Sequence, residues 1–156
     1  MKVSVIVPAY DEEAGLGASL RSIRTAMAAF DRLGWSSELI VCDNNSSDRT
    51  AEIARAAGAS VVFEPLNQIS RARNAGAEHA TGDWLVFIDA DSHPTEHLFA
   101  DVANAVLGGR CIAGGSTIEF GSAPAFARAV AWVGTPSAES IVGRPAHASS
   151  AKLGPS

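Results

Sequence analysis

Short hydrophobic runs alternate with stretches of helical spacing along most of the chain. The runs at residues 3–7, 38–42, 60–63 and 84–88 predict four β-strands, and a weaker run at 111–120 predicts a fifth. The first run is almost continuously β-branched, which is typical of a strand that is buried on both faces of a sheet.

Between these runs, apolar residues recur at steps of three and four, as on a helix with one buried face. The longest such stripe begins at Leu16 and ends at Leu33, and Gly34 is predicted to cap it. Three shorter helices are predicted from Ser47 or Asp48 to Ala57 (ended by Gly58), over residues 70–80, and from Pro94 to Val106.

The alternation of strands and helices predicts an α/β fold, with a Rossmann-like, mostly parallel sheet and helices on both of its faces. In such sheets, ligands bind outside the carboxyl ends of the strands. Residues 122–133 are compatible with one more helix, and from Gly134 the chain is rich in Ala, Gly, Pro and Ser, without a usable period. We therefore divide the chain into a domain at 1–120 and a helix with a poorly specified tail at 121–156.

Composition narrows the classes of function. The 156 residues carry a net charge of −5, which does not suit a nucleic-acid-binding protein. Cys42 and Cys111 lie far apart and form no C-x-x-C pair, so neither a zinc site nor a redox dithiol is predicted. Since no apolar run has the length of a membrane span, we expect a cytoplasmic protein and leave peripheral association with a membrane open.

Carboxylates follow three of the four predicted parallel strands. Glu12 follows the first strand, Asp43 the second, and Asp89 and Asp91 the fourth. Acidic groups gathered at buried strand ends need a cation beside them. Carboxylate oxygens suit a hard divalent ion, so we expect Mg²⁺ or Mn²⁺, which would in turn hold an anionic ligand such as a phosphate.

The D-x-D pair also has simpler interpretations. Asp89 and Asp91 point to the same side of an extended segment and suit one metal ion; the alternative is that they cap the following helix. His93 continues the two-residue spacing, and it either joins the metal or merely precedes the helix that Pro94 begins.

Four further side chains are candidates for ligand contact. Asp43 is suited to accept hydrogen bonds from a base or a ribose, and Tyr10 offers a flat face to a nucleobase; the alternatives are a loop aspartate and a packed rim aromatic. Arg71 and Arg73 near a helix start are suited to phosphate oxygens, or else they form a solvated face.

Several other α/β classes lack their motifs here. The loop after the first strand has no G-x-G-x-x-G, and the only lysines, Lys2 and Lys152, form no P-loop. There is also no G-x-S-x-G nucleophile elbow. Dinucleotide-binding domains, P-loop NTPases and α/β-hydrolases are therefore not predicted.

The segments VSVIVPAYDEE, VCDNNSSDRT and ISRARNAGAEHATGDWLVFIDADS together resemble the inverting family 2 glycosyltransferases of the GT-A fold. The resemblance covers about Met1 to Phe120, with four motifs in the family's order and spacing. By this resemblance Asp43 binds the base, usually uracil, while one of the acids Asp89 and Asp91 lies by the ribose and the other holds the metal on the diphosphate. It also implies nucleotide contacts at Pro8, Ala9, Tyr10 and Glu12 and at the segment containing Arg73, Asn74 and Gly76.

The resemblance implies an enzyme that uses Mg²⁺ or Mn²⁺ and a nucleoside-diphosphate sugar, with a UDP-sugar favoured. An acceptor hydroxyl, of unknown identity, would displace the nucleotide with inversion while a carboxylate base removes its proton. Family members continue with a second half that supplies the acceptor site and this base, so we expect the C-terminal half to be truncated here, through a fragment or a shifted reading frame. The catalytic base is then unknown, and Glu139 is the one acid in the tail. The alternatives are a non-catalytic nucleotide-sugar-binding module and an interaction scaffold that self-associates into a homo-oligomer.

Overall fold

Strands and helices alternate along the computed structural model, which describes residues 1–109, 113–115 and 140–143. The strands are β1 (Lys2–Ala9), β2 (Ser36–Asp43), β3 (Ser60–Phe63), β4 (Trp84–Ile88), β5 (Ala113–Gly115) and β6 (Ser140–Gly143). The helices are α1 (Leu16–Asp31), α2 (Thr50–Ala56), α3 (Ile69–His79) and α4 (Glu96–Leu107).

The strands form one sheet in the order β3-β2-β1-β4-β6-β5. The first four are parallel to one another, and β6 runs antiparallel to both β4 and β5. The predicted α/β fold with a mostly parallel sheet is confirmed. Because β1 lies between β2 and β4, the carboxyl ends of these three strands are neighbours.

Each face of the sheet has its own apolar core. On one face, alternate residues of β1, from Val3 to Val7, pack with α1 and α4, where the rings of Phe30 and Phe99 stack with centroids 5.2 Å apart. On the other face, Ile6 packs with residues of β2, β4 and α3. This two-sided packing explains why the central strands are continuous apolar runs in the sequence.

Helix α3 approaches the sheet very closely at Gly76. A Cβ built at this position would lie 2.5 Å from Ile6 Cγ2, closer than side-chain contacts allow. Gly76 is buried between helix and sheet, so the structure gives it a packing role.

The observed boundaries differ from the predicted ones where local contacts decide them. Strand β1 continues to Ala9 through Pro8, because its pairing with β4 ends at Ile6 and only its β2 side is paired beyond that point. Helix α4 begins at Glu96 and not at Pro94, because the Thr95 side chain accepts the Leu98 N–H as an N-cap.

The remaining predictions on the elements have different outcomes. Leu33 lies beyond the end of α1 and is 45% exposed, so it does not belong to the buried stripe. The hydrophobic pattern does not predict β6, whose four residues lie in the Ala/Gly/Pro/Ser-rich stretch. The predicted helix at 122–133 lies outside the described residues, and the predicted fifth strand overlaps β5.

A polar network closes the amino-terminal edge of the sheet, on the side opposite the strand ends that carry the candidate site. The Glu38 carboxylate accepts hydrogen bonds from Lys2 Nζ, from Ser4 Oγ and from the Thr81 N–H, at 2.8, 2.5 and 2.8 Å. The buried Ser4 hydroxyl also accepts the Gly82 N–H at 2.8 Å. These bonds join β1, β2 and the turn before β4.

Among the described helices, none combines the length and the apolar character needed to cross a membrane.

Candidate functional site

The candidate site is the edge of the sheet formed by the carboxyl ends of β1, β2 and β4. Ala9 and Asp43 are register partners at the ends of β1 and β2, and the Asn44 N–H donates to the Ala9 carbonyl oxygen at 2.9 Å. Asp89 follows directly after β4, which lies on the other side of β1. The sequence-predicted acids thus flank one central strand.

The loops after β1 and β2 are fastened to each other by three consecutive residues. Asp11 Oδ1 accepts the Ser47 N–H at 2.7 Å, and the two residues that follow Asp11 donate their N–H groups to the same neighbouring loop. Those two bonds run from Glu12 N to Thr50 Oγ1 (2.8 Å) and from Glu13 N to Asp48 Oδ2 (2.9 Å).

Asp48 precedes α2 but does not cap it as predicted, because the N-cap residue is Arg49 and the cap has no side-chain hydrogen bond. Asp48 Oδ1 accepts the Thr50 N–H at 2.9 Å while Oδ2 holds the β1–α1 loop. Desolvation alone would raise the pKa of Asp48, but the hydrogen bonds from Thr50 and the Glu13 N–H lower it. The carboxylate therefore acts as a fixed anionic link between two loops.

The predicted nucleotide-contacting residues at the end of β1 and in the loop after it differ in exposure. Pro8 and Ala9 are buried as part of the strand and so are not in a loop. Tyr10 follows the strand and is 46% exposed, which leaves its ring accessible to a ligand. The next candidate, Glu12, is half-buried, and its carbonyl oxygen accepts the Leu16 N–H at the start of α1.

The Glu12 carboxyl lies in a negatively charged environment. Burial raises the pKa of the Glu12 carboxyl, and the negative charges of Asp91 and Asp48 raise it further. The site therefore concentrates negative charge where the β1–α1 loop meets the segment after β4, a distribution that favours a cation.

Asp43 is held in place and almost enclosed, with 6% of its surface exposed. Its Oδ1 accepts the Ser46 N–H at 3.0 Å, and its carbonyl oxygen accepts the Glu64 N–H at 2.9 Å. A ligand that reaches Asp43 has to meet a carboxylate whose orientation is already set.

Arg73 of α3 reaches across to the segment after β4. Its Nη2 lies 2.7 Å from Asp89 Oδ1, and the two side chains are 30% and 38% exposed. Arg73 Nε is buried and has no hydrogen-bond partner among the residues that the structure describes. Asp89 is therefore bonded to one donor of the guanidinium, while the adjacent Nε is buried and unpaired within the described residues.

The remaining predicted residues are placed differently. Arg71 pairs with Glu64 at 3.1 Å, Asn74 is exposed, and Gly76 is buried against the sheet. Asp91 and His93 are exposed. Within residues 1–109, no group of three or more His, Cys, Asp or Glu side chains is arranged to hold a metal ion by itself.

Two residues at this edge were missed by sequence reasoning. Glu64 directly follows β3 and is 7% exposed, so carboxylates follow all four parallel strands and not three of them. Asn44, which is 3% exposed, follows Asp43. Glu64 could have been found from the sequence, because it directly follows a predicted strand. The pattern of hydrophobic and polar residues gives no indication that Asn44 is buried.

Comparison with known proteins identifies relatives that match most of this chain. A family model described as Glycosyl transferase family 2 matches residues 4–141. An undecaprenyl-phosphate 4-deoxy-4-formamido-L-arabinose transferase from Pseudomonas aeruginosa (strain LESB58) is 39% identical over 114 residues, which make up 68% of this chain and 33% of that protein. The protein of the same name from Shewanella sediminis (strain HAW-EB3) is 40% identical over 114 residues, 68% of this chain and 34% of that protein. The chain thus spans about a third of the length of these curated relatives.

Solved structures show the same architecture. Staphylococcus aureus TarS 1–349 in complex with UDP-GlcNAc has a TM-score of 0.61 and 25% identity, over 80% of this chain and 37% of that chain. Glucosyl-3-phosphoglycerate synthase from Mycobacterium tuberculosis, in complex with Mn²⁺, UDP and glucosyl-3-phosphoglycerate, has a TM-score of 0.66 and 24% identity, over 92% and 57%. The described part of this chain has the GT-A fold of these neighbours. Since the family model covers most of the chain, from Ser4 to Ile141, the protein belongs to glycosyl transferase family 2.

Proposed function

We propose that the carboxyl edge of β1, β2 and β4 binds the nucleoside diphosphate of a sugar donor, in a protein that transfers the sugar to an acceptor. The observation that carries the proposal is the arrangement of Asp43 and the Arg73–Asp89 pair on either side of β1. Neighbouring strands are about 4.8 Å apart, so the ends of β2 and β4 are about 10 Å apart. One extended ligand can therefore contact a base-recognising group at β2 and a phosphate-recognising group at β4.

The base is proposed to lie between Tyr10 and Asp43. Tyr10 offers an exposed aromatic face at the end of β1, and Asp43 offers a fixed carboxylate at the end of β2. A carboxylate accepts hydrogen bonds from a base N–H but donates none, so it favours bases that present a donor. Similar solved structures contain UDP or UDP-GlcNAc, which supports a UDP-sugar as donor.

A divalent metal is proposed to bind at Asp89 and Asp91. Mg²⁺ commonly takes one or two carboxylates from the protein and the rest of its ligands from phosphates and water. Two carboxylates with the acidic Glu12 nearby fit a cation that shares its coordination with a diphosphate. When bound, Mg²⁺ or Mn²⁺ would stabilise negative charge on the departing nucleoside diphosphate.

Arg73 is proposed to orient Asp89 and to contact the diphosphate. Its Nη2 holds one carboxylate oxygen, which fixes the direction of the other, and its side chain is 30% exposed, which leaves part of it accessible to a ligand oxygen. Guanidinium groups are suited to phosphate because several donors point outward in one plane.

The acceptor is proposed to be a phosphate carried on a lipid, at the cytoplasmic face of a membrane. The support is that the relatives at 39–40% identity are undecaprenyl-phosphate 4-deoxy-4-formamido-L-arabinose transferases. An acceptor phosphate oxygen would form a bond to the anomeric carbon with inversion, while the bond from that carbon to the nucleotide oxygen breaks. Such an oxygen is already anionic, so this acceptor removes the need for the carboxylate base expected for a hydroxyl.

The experiment is equilibrium binding of UDP, with Mn²⁺ and with EDTA, to the wild type and to Asp91→Asn. We expect Asp91→Asn to weaken binding in Mn²⁺ by about tenfold or more, the loss of roughly one charged ligand contact, and to leave binding in EDTA unchanged. Asp101→Asn, at an exposed position on α4, is the matched control and should bind like the wild type.

If Asp91→Asn binds as tightly as the wild type in Mn²⁺, the metal assignment is wrong. Transfer is tested separately by supplying a UDP-sugar with undecaprenyl phosphate and measuring UDP release. Metal-dependent binding without any release would favour the non-catalytic nucleotide-sugar-binding module.

A further inference from the structure

Asn44 joins three segments of the site edge. Its N–H donates to the Ala9 carbonyl oxygen at 2.9 Å, its Nδ2 donates to Asn67 Oδ1 at 3.2 Å, and its Oδ1 accepts the Gln68 N–H at 3.1 Å. A backbone N–H only donates, so the bond from Gln68 fixes the orientation of the carboxamide. A side chain that is 3% exposed and uses both polar atoms in this way holds the β3–α3 loop against the end of β2.

Glu64 fastens the other end of the same loop. Its N–H donates to the Asp43 carbonyl oxygen, and its buried carboxylate accepts the Leu66 N–H at 3.0 Å and Arg71 Nε at 3.1 Å. The Leu66 N–H and the Arg71 side chain lower the pKa of Glu64, so this anchor is anionic at neutral pH. The loop from Glu64 to Gln68 is therefore held at both ends by Asp43 and Asn44.

This loop is joined to Asp43 itself, because the Glu64 N–H donates to the Asp43 carbonyl oxygen. Only 6% of Asp43 is exposed, and its Oδ1 is already engaged by the Ser46 N–H. When so little surface is accessible, a small displacement of the neighbouring loop changes which ligand groups can contact the carboxylate. The Arg73–Asp89 pair, in contrast, forms on the β4 side without any bond to Asn44.

We propose that Asn44 is a positioning residue for base selection. Its carboxamide holds the β3–α3 loop so that the opening beside Asp43 accepts one type of nucleobase and excludes the others. The inference rests on the proposed function, because it assigns the base to Asp43. It goes further in separating the two halves of the ligand: Asn44 governs contacts to the base and not contacts to the diphosphate.

The test measures the affinity of the wild type and of Asn44→Ala for UDP, CDP, GDP, ADP and inorganic pyrophosphate, all with Mn²⁺. For Asn44→Ala, we expect the preferred nucleotide to bind about tenfold more weakly, because the variant loses both side-chain hydrogen bonds that hold the loop. We expect pyrophosphate to bind within about twofold of the wild type, because its contacts lie on the β4 side. Asn104→Ala, at an exposed position on α4, is the control and should match the wild type for every probe.

A second variant keeps the test decisive if Asn44→Ala does not fold. Asn67 is exposed, and Asn67→Ala removes only the bond to Asn44 Nδ2. It should reduce the preference between nucleotides in the same direction, by about threefold.

Three results would overturn the inference while leaving the proposed function in place. They are an equal loss of nucleotide and pyrophosphate affinity in the variants, unchanged base preference in both variants, and a wild type that binds all four nucleotides equally. A wild type that binds no nucleoside diphosphate with Mn²⁺ would instead refute the proposed function, and the inference with it.

Discussion

Acid is expected to weaken this protein through Glu38, at the edge of the sheet opposite the candidate site. Desolvation alone would raise the pKa of Glu38, but hydrogen bonds from Lys2, Ser4 and Thr81 outweigh it and lower the pKa from 4.5 to about 2. Because the pKa in the folded state lies below that in the unfolded state, this contribution is fully present above pH 4.5. It is lost as the pH falls from 4.5 towards 2.

The size of the contribution follows from the two pKa values. Each tenfold change in an acidity constant corresponds to about 1.4 kcal/mol, so a fall in the pKa from 4.5 to about 2 corresponds to at most about 3.5 kcal/mol. The side chains of Lys2 and Glu38 are 35% and 25% exposed, and solvent screens their attraction. We therefore expect Glu38 ionisation to contribute about 1–2 kcal/mol at neutral pH.

Urea unfolding of the wild type and Glu38→Gln at a series of pH values measures this contribution. The variant should be about 1–2 kcal/mol less stable at pH 7, and this difference should shrink to less than about half by pH 3. Glu78→Gln, at an exposed position on α3, is the control and should follow the wild type. A difference between Glu38→Gln and the wild type that stays constant from pH 7 to pH 3 would refute the reasoning, because it would have no link to ionisation.

Three other perturbations have definite expectations. Gly82→Ala should lower the free energy of unfolding, measured by urea titration, by about 2 kcal/mol, because its Cβ would lie 2.6 Å from Ser4 N. Gly15→Ala is the control, and it should change the free energy of unfolding little because the space around Gly15 is open. Cys42 is fully buried, and burial, followed by the charges of Glu64 and Asp43, raises its pKa to about 11; thiol labelling at pH 8 with peptide mapping should therefore modify it only once urea unfolds the protein. Phe99→Ala should cost about 3–5 kcal/mol in denaturant unfolding, since the ring is fully buried against α1, and a loss below about 1 kcal/mol would contradict the described core.

The order of strands and helices could be predicted because apolar residues form short continuous runs in the strands and recur at steps of three and four in the helices. The strands at residues 60–63 and 84–88 have the predicted bounds. Boundaries that depend on contacts between elements could not be predicted in the same way. Pro8 remains in β1 because β4 no longer pairs there, and Thr95 begins α4 because its hydroxyl accepts a backbone N–H.

The candidate site could likewise be predicted in its overall place but not in its side-chain contacts. Acids at strand ends had to meet at one edge because parallel strands end on the same side, and this placed Asp43 and Asp89 without knowledge of side-chain contacts. The partners of these acids depend on loop conformation. Residue type and spacing therefore did not distinguish Arg71, which pairs with Glu64, from Arg73, which pairs with Asp89, and only the family resemblance singled out Arg73.

The most direct test of the proposed site is to map where Mn²⁺ binds. Amide signals of the ¹⁵N-labelled protein would be recorded while Mn²⁺ is added in the presence of UDP, and paramagnetic broadening would mark the residues nearest the ion. We predict that broadening begins at Glu12 and at residues 89–92, and that it spares residues 81–83 at the opposite edge of the sheet. Broadening centred away from the ends of β1 and β4, or broadening that is the same with and without UDP, would contradict a metal shared between Asp91 and a diphosphate.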